Sequence, residues 1–195
     1  MLYKIAHILR DNLSWLWDII EQLNSLLFSL RYGRRQKGFS FTTVPDGYEV
    51  KPLCDVPTEE LVSFFGRQPE EAYTFFHPHG FDAESIKKLQ RSRAFLAYVL
   101  VDKEKSEIAG YCFNRSFFHG VGFRGRMVDV NYRGKGLGTA MNKMLNEVGF
   151  FLGLRLFETV SKDNVASYKS ALSASNVKVV KELPHNELYL EIVKP

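Results

Sequence analysis

A chain of 195 residues with 45% hydrophobic and 25% charged side chains can bury one sizeable core, with room for an appendage but not for two full domains. Its net charge of +4 sits at the start. Residues 1–38 hold six bases against three acids, leaving twenty against nineteen in the rest, which excludes a general nucleic-acid surface. Cys54 and Cys112 are the only cysteines and lack metal-ligand spacing, so no disulfide framework is expected and a reducing, cytoplasmic setting fits.

Residues 2–30 read as one long amphipathic helix. Leu2, Ile5, Leu9, Leu13, Leu16, Ile20, Leu23, Leu27 and Leu30 recur every three or four positions, and Trp15, Trp17, Ile19, Leu26 and Phe28 widen the stripe. Asp11, Asp18 and Glu21 interrupt every window of about 20 residues that a membrane span needs, and no compact apolar core precedes a small-residue cleavage site. Two uses of the stripe stand side by side. It packs on its own domain or a second copy (homodimerisation), or it lies on a membrane surface beside Arg31, Arg34, Arg35 and Lys37. The acids on its polar face weigh toward packing. Gly33 to Gly38 read as a linker, dividing the chain into an N-terminal helix with its basic linker, 1–38, and a domain, 39–195.

From Phe39 onward strands and helices alternate. Tyr48 to Leu53 predicts a strand, Thr58 to Phe65 a helix with Thr58 as its N-cap, and Ala83 to Arg91 a helix capped by Asp82. Between the two helices, Tyr73 to Phe81 gathers four aromatics and two histidines around a Pro-Gly turn. Aromatic faces with imidazole donors suit a sugar ring or a base. Phe76, His77, His79 and Phe81 are therefore candidate substrate-binding residues, and His77 is a candidate base near neutral pH. A third ligand is missing beside the two histidines, so no metal is assigned. Ala94 to Val101 and Ile108 to Phe117 predict an antiparallel hairpin across Asp102 to Glu107. Phe117 to Phe123 is read as a mobile aromatic loop, and its His119 is another candidate base.

Met127 to Val130 reads as a short strand and Thr139 to Gly153 as an amphipathic helix. Between them stands Arg133-Gly134-Lys135-Gly136-Leu137-Gly138. A Gly-rich turn feeding a helix N-terminus offers unpaired N–H groups and the positive end of the dipole, a geometry that binds phosphate oxygens. A Walker A loop would need Ser or Thr after Lys135, where Gly136 stands, and a dinucleotide fingerprint would need Gly-x-Gly-x-x-Gly. Both readings fail. Downstream, Leu154 to Val160 predicts a strand, Asn164 to Ala174 a helix, and Val177 to Leu183 with Glu187 to Val193 a closing hairpin. The order predicts an α/β fold centred on a mixed sheet.

The segment Val128 to Ala140, with Arg-x-x-Gly-x-Gly at Arg133 to Gly138, resembles the strand–loop–helix of the GNAT acetyltransferase superfamily; Val130 stands where many members have Pro. The likeness in element order covers residues 48–193. It implies a GNAT-like mixed central β-sheet flanked by helices, an extra N-terminal amphipathic helix, and acetyl-CoA as co-substrate of an N-acetyltransferase. In such a fold the pantetheine arm lies in a wedge between two strands, which assigns it to Asp129 and Val130. The pyrophosphate falls to Arg133, Gly134, Lys135, Gly136, Leu137, Gly138 and Thr139. Asn164 would hold the CoA arm, or equally cap the helix it precedes. The Val130 N–H would polarise the thioester. The acid, commonly a Tyr seven residues after that Asn, is replaced by Ala171, so Tyr168 is the candidate acid, with Tyr132 behind it. Glu158, at a position more often apolar, is a candidate base or the partner of Arg155 or Arg126; Asp129 is a further candidate.

The acceptor implied is a small-molecule amine, with a nucleotide-linked amino sugar of surface-polysaccharide synthesis as the favoured case. The other readings are a protein N-acetyltransferase, a non-catalytic acyl-CoA-binding module motivated by Ala171, and an interaction protein acting through its N-terminal helix. The expected location is cytoplasmic, at the inner face of the membrane if the helix meets lipid.

Overall fold

The structure is a computed structural model that describes residues 14–194; the part of the expected N-terminal helix before Ser14 lies outside the described residues. Helix α1 (Ser14–Gln36) continues through Gly33, so most of the expected linker is helical. A mid-helix Gly costs about 1 kcal/mol against Ala. Packing overrides that cost, because Phe28 and Tyr32, with rings 4.7 Å apart, are buried in the main core just before it.

Strand β1 (Tyr48–Pro52) leads to helices α2 (Thr58–Gly66) and α3 (Ala83–Arg91). Asp82 caps α3 as expected, its Oδ1 accepting the Ser85 N–H at 2.9 Å. Thr58 does not cap α2. Pro57 occupies that position, and the Thr58 hydroxyl donates to Gln90 Oε1 at 2.9 Å, tying α2 to α3. Strands β2 (Phe95–Asp102) and β3 (Glu107–Phe117) form the expected hairpin.

Strand β4 (Val121–Val128) starts six residues before the expected Met127 and stops at Val128. Gly122 and Gly125 broke its apolar pattern in the sequence. Both serve packing: a Cβ on Gly125 would lie 2.6 Å from the Phe113 ring, and one on Gly122 would lie 3.1 Å from Leu156. Phe117 to Phe123 is thus no mobile loop but two strand ends joined by a tight turn, with the Gly120 N–H on the Phe117 carbonyl at 2.9 Å. Then follow α4 (Leu137–Leu152), β5 (Arg155–Ser161), α5 (Val165–Ala174), β6 (Asn176–Leu183) and β7 (Glu187–Val193).

The seven strands form one mixed sheet in the order β1-β2-β3-β4-β5-β7-β6. Strand alternation gives each face its own core. One face buries Leu96, Tyr98, Leu100 and Cys112 against α1 and α4; the other buries Phe95, Ala97, Val99 and Tyr111 against α2 and α3. Every neighbouring pair is antiparallel except β4 and β5, which are parallel and paired only from Val121 to Phe123 against Arg155 to Phe157. Past Phe123 and Phe157 the strands part into a wedge.

Candidate functional site

The wedge holds a cavity of about 550 Å³. Residues from both sheet faces line it, Arg124 to Val128 on β4 and Glu158 to Ser161 on β5, so the space passes between the strands. The Asp129 N–H donates to the Ala109 carbonyl at 3.0 Å, and Gly110 faces Val128 in the ladder. In that antiparallel register the odd-numbered β4 residues bond to β3, while Arg124, Arg126 and Val128 aim their backbone N–H and C=O into the wedge.

At the wide end of the wedge lies the Gly-rich loop. Gly134 and Gly136 have φ of +77° and +76°, a left-handed region that side-chain-bearing residues avoid, and Gly136 is the N-cap of α4. Among the described residues, none of the backbone N–H groups from Arg133 to Thr139 donates to another backbone group outside regular structure. With the dipole of a 16-residue helix behind them, they form a nest for an anion. Arg133, Gly134, Gly136, Leu137, Gly138 and Thr139 line the cavity. Lys135 instead rests its Nζ over the Tyr132 ring, 4.7 Å from the centroid.

A buried ionic cluster occupies the apex. Arg124, with no exposed side-chain surface, donates from Nε to Glu158 Oε2 at 2.7 Å and from Nη1 to Asn146 Oδ1. Arg126 places Nη1 3.5 Å from the same Glu158 oxygen and donates from Nη2 to the Ser167 carbonyl at 2.9 Å. Burial pulls the Arg126 guanidinium down to about 10, against the opposing pull of Glu158. Glu158 Oε1 and Arg124 Nη2 are buried with no partner among the described residues, a donor and an acceptor left free beside the cavity. Two cations against one carboxylate leave this end positive, a field that stabilises a developing negative charge. At the opposite mouth are Glu71, Ala72, Phe75, Phe76 and Glu187.

The other sequence candidates are placed as follows. Glu158 pairs with Arg124 and Arg126, while Arg155 turns away to Glu191 at 2.7 Å. Asn164 lines the cavity and also caps α5, its Oδ1 accepting the Ser167 N–H at 3.1 Å. Asp129 is fully buried outside the lining, where Arg67 Nε at 2.7 Å, Gln68 Nε2 at 2.8 Å and the Asn131 N–H at 2.9 Å converge on it. Burial alone would raise its carboxyl, but those three donors hold it below the usual range. The Val130 N–H is spent on Gln68 Oε1 at 3.0 Å. Tyr168 packs beside Val160 and Leu188 and does not line the cavity. Tyr132 is among the lining residues, but burial and the neighbouring Asp102 and Glu107 carboxylates push its phenol up.

The histidines lie elsewhere. His119 sits in the turn at the far end of β4, and His77 is exposed outside the lining. His79 donates from Nδ1 to the Gly80 carbonyl at 2.8 Å and accepts at Nε2 from the Tyr111 hydroxyl at 2.9 Å. Its ring and that of Phe81, 5.0 Å apart, belong to an aromatic core cluster with Phe65. Of the four acceptor-side candidates, only Phe76 reaches the cavity. Arg124, Glu71 and Phe75 were not singled out from sequence, and Arg126 only as a partner for Glu158, which it is. The alternation of Arg124 and Arg126 just before Met127 was the available signal, since it places both on one strand face.

Residues 59–171 match the family described as Acetyltransferase (GNAT) family. A search of curated proteins returned no match. Among solved structures, the GNAT domain of S. lividans PAT aligns with a TM-score of 0.64 at 15% identity, covering 74% of this chain and 89% of that one. The N-acetyltransferase PseH of Campylobacter jejuni aligns with a TM-score of 0.56 at 15% identity, over 76% and 99% of the two chains. The aminoglycoside acetyltransferase AAC(6')-Ib in complex with coenzyme A and kanamycin aligns with a TM-score of 0.54 at 14% identity, over 74% and 93%. At these identities the likeness establishes the fold.

Proposed function

Because the chain belongs to the acetyltransferase (GNAT) family, with acetyl-CoA as its co-substrate, we propose that it acetylates the amine of a small molecule, an amino sugar. The carrying observation is the cavity between diverging β4 and β5, with an anion nest at one end and aromatic side chains with two acids at the other. The nest suits the pyrophosphate. The free backbone edge of Arg126 and Val128 suits the pantetheine arm, replacing the expected Asp129 and Val130, whose N–H groups are already taken. In this reading the Val128 N–H holds the thioester oxygen. The amine nitrogen attacks the carbonyl carbon, the C–S bond breaks, and the electron pair leaves on sulphur into the field of Arg126. Glu158 Oε1, the free buried acceptor, receives the proton the ammonium loses to become the nucleophile. The second proton, released from nitrogen after attack, leaves with the thiolate as CoA thiol.

Phe75 and Phe76 offer faces to a ring, and Glu71 and Glu187 attract its ammonium. AAC(6')-Ib, a structural neighbour, is seen with kanamycin, which makes an amino-sugar ring a natural first acceptor to test. A nucleotide-linked amino sugar ranks behind an unphosphorylated one, since its phosphates would meet the same two acids. Among the described residues no helix is long and apolar enough to cross a membrane; α1 is proposed to carry a second contact, with a surface outside the domain.

Release of CoA thiol is measured with an aminohexose, kanamycin, a nucleotide-linked amino sugar and a peptide N-terminus. Turnover on the unphosphorylated amino sugars is expected. Tight acetyl-CoA binding with no release on any amine, or release on the peptide alone, would sink the reading. Gly136→Asp should abolish acetyl-CoA binding by setting a carboxylate against the pyrophosphate; retained affinity overturns the loop assignment.

A further inference from the structure

Helix α1 leaves one face unpartnered among the described residues. Trp15, Ile19, Ile20, Leu23, Leu26 and Leu30 lie along that face, each 42% to 76% exposed. The intervals from Trp15 through Ile19, Leu23, Leu26 and Leu30 are four, four, three and four, which keeps them on one side of a 3.6-residue helix. The next step of four reaches Arg34, and three more reach Lys37, both exposed. The apolar stripe therefore ends in cations.

Two of the acids that argued for packing, Asp18 and Glu21, lie off this face; Asp11 lies outside the described residues. Asp18 turns to Lys88 of α3, with its Oδ2 3.2 Å from Nζ. Glu21 is half-buried and falls on the same side as Phe28 and Tyr32, which enter the core. Other polar groups secure the helix to its domain. Asn24 donates to the Ser116 carbonyl at 3.0 Å, Arg31 to the Phe118 carbonyl at 2.9 Å, and Ser25 accepts the Arg93 N–H at 2.9 Å. Arg31 is thus engaged with the protein, whereas Arg34 and Lys37 face outward.

We infer that this face of α1 docks on an anionic lipid bilayer, with Trp15 to Leu30 at the headgroup–acyl boundary and Arg34 and Lys37 among the headgroups. Charge decides between the occupants. A second copy would present the same acid-free stripe and offer nothing to Arg34 or Lys37, whereas an anionic surface supplies an apolar layer and counter-charge together. A helix fixed rigidly to a folded domain has also lost most of its conformational entropy before it meets the lipid. The geometry leaves the reaction site in water: α1 covers the turn at one end of β4 and the anion nest follows the other end, roughly 25 Å away at ~3.3 Å per strand residue. The inference does not depend on which amine is acetylated.

The full chain is sedimented with vesicles of phosphatidylcholine alone and of phosphatidylcholine with phosphatidylglycerol, and its mass is measured by light scattering. Binding is expected to the anionic vesicles, weakened by salt. The variant carrying Leu23→Glu, Leu26→Glu and Leu30→Glu should bind at least about tenfold more weakly, with CoA release in solution unchanged. Arg34→Glu with Lys37→Glu should weaken binding without altering the apolar stripe. The proposal is overturned if the full chain fails to sediment with anionic vesicles, binds neutral ones equally, or binds equally as the triple variant. It is also overturned if the full chain is a dimer that the triple variant turns into a monomer.

Discussion

His79 was assigned to an acceptor by its neighbours in sequence and is assigned to the core by its neighbours in space. Its ring is enclosed by Phe65, Phe81, Phe95, Tyr111 and Phe113, and burial pulls it down to about 4 from an ordinary value near 6.5. A histidine buried neutral binds its proton more readily in the unfolded chain, so stability is full above pH 6.5 and falls as pH drops toward 4. Between pH 7 and pH 5 this one group should cost about 2 kcal/mol. Urea unfolding at the two pH values should show that loss in the native chain and a much smaller one in His79→Gln; equal losses would remove His79 as the cause. Sequence reading could see two histidines among aromatics, but whether an imidazole meets solvent or a Tyr111 hydroxyl 32 positions away is decided by topology.

At the scale of elements, the anion nest depends on how β4 ends. Arg67 and Gln68, at the end of α2, reach Asp129 and Val130, and this tie sets the turn that delivers the chain to Arg133. Asp129→Ala removes the acceptor from three donors, two of them side chains just past the end of α2. It should cost roughly 2–3 kcal/mol in urea unfolding and weaken acetyl-CoA binding about tenfold in a calorimetric titration. Asp129→Asn, which keeps an acceptor for the Asn131 N–H, should do less; unchanged acetyl-CoA affinity in both would show that the tie does not position the loop. The nest itself was legible because three glycines and the helix start are local in sequence. The tie was not, because its two sides lie about 62 residues apart. The same limit hid Arg124 and the strand that sets it beside Arg126: Gly122 and Gly125 interrupt the strand pattern for reasons found only on β3 and β5.

For the whole molecule, the succession of elements from Tyr48 onward and the two hairpins could be read from alternation and turn residues, β4 excepted, whereas the standing of α1 could not. A stripe of leucines tells that a helix is amphipathic without telling which residues face inward. In the fold Phe28 and Tyr32 enter the main core, and the more exposed leucines face out. Phe28→Ala should therefore cost roughly 3–5 kcal/mol, and a chain of residues 39–195 should unfold at markedly lower urea than the full chain. An unchanged midpoint would make residues 1–38 a detachable appendage. The wedge cavity reaches both faces of the sheet, so in the proposed reading the two substrates approach by separate doorways and are held at once. Such a site favours a sequential reaction through a ternary complex, in which the acetyl group passes directly to the amine without first resting on the protein.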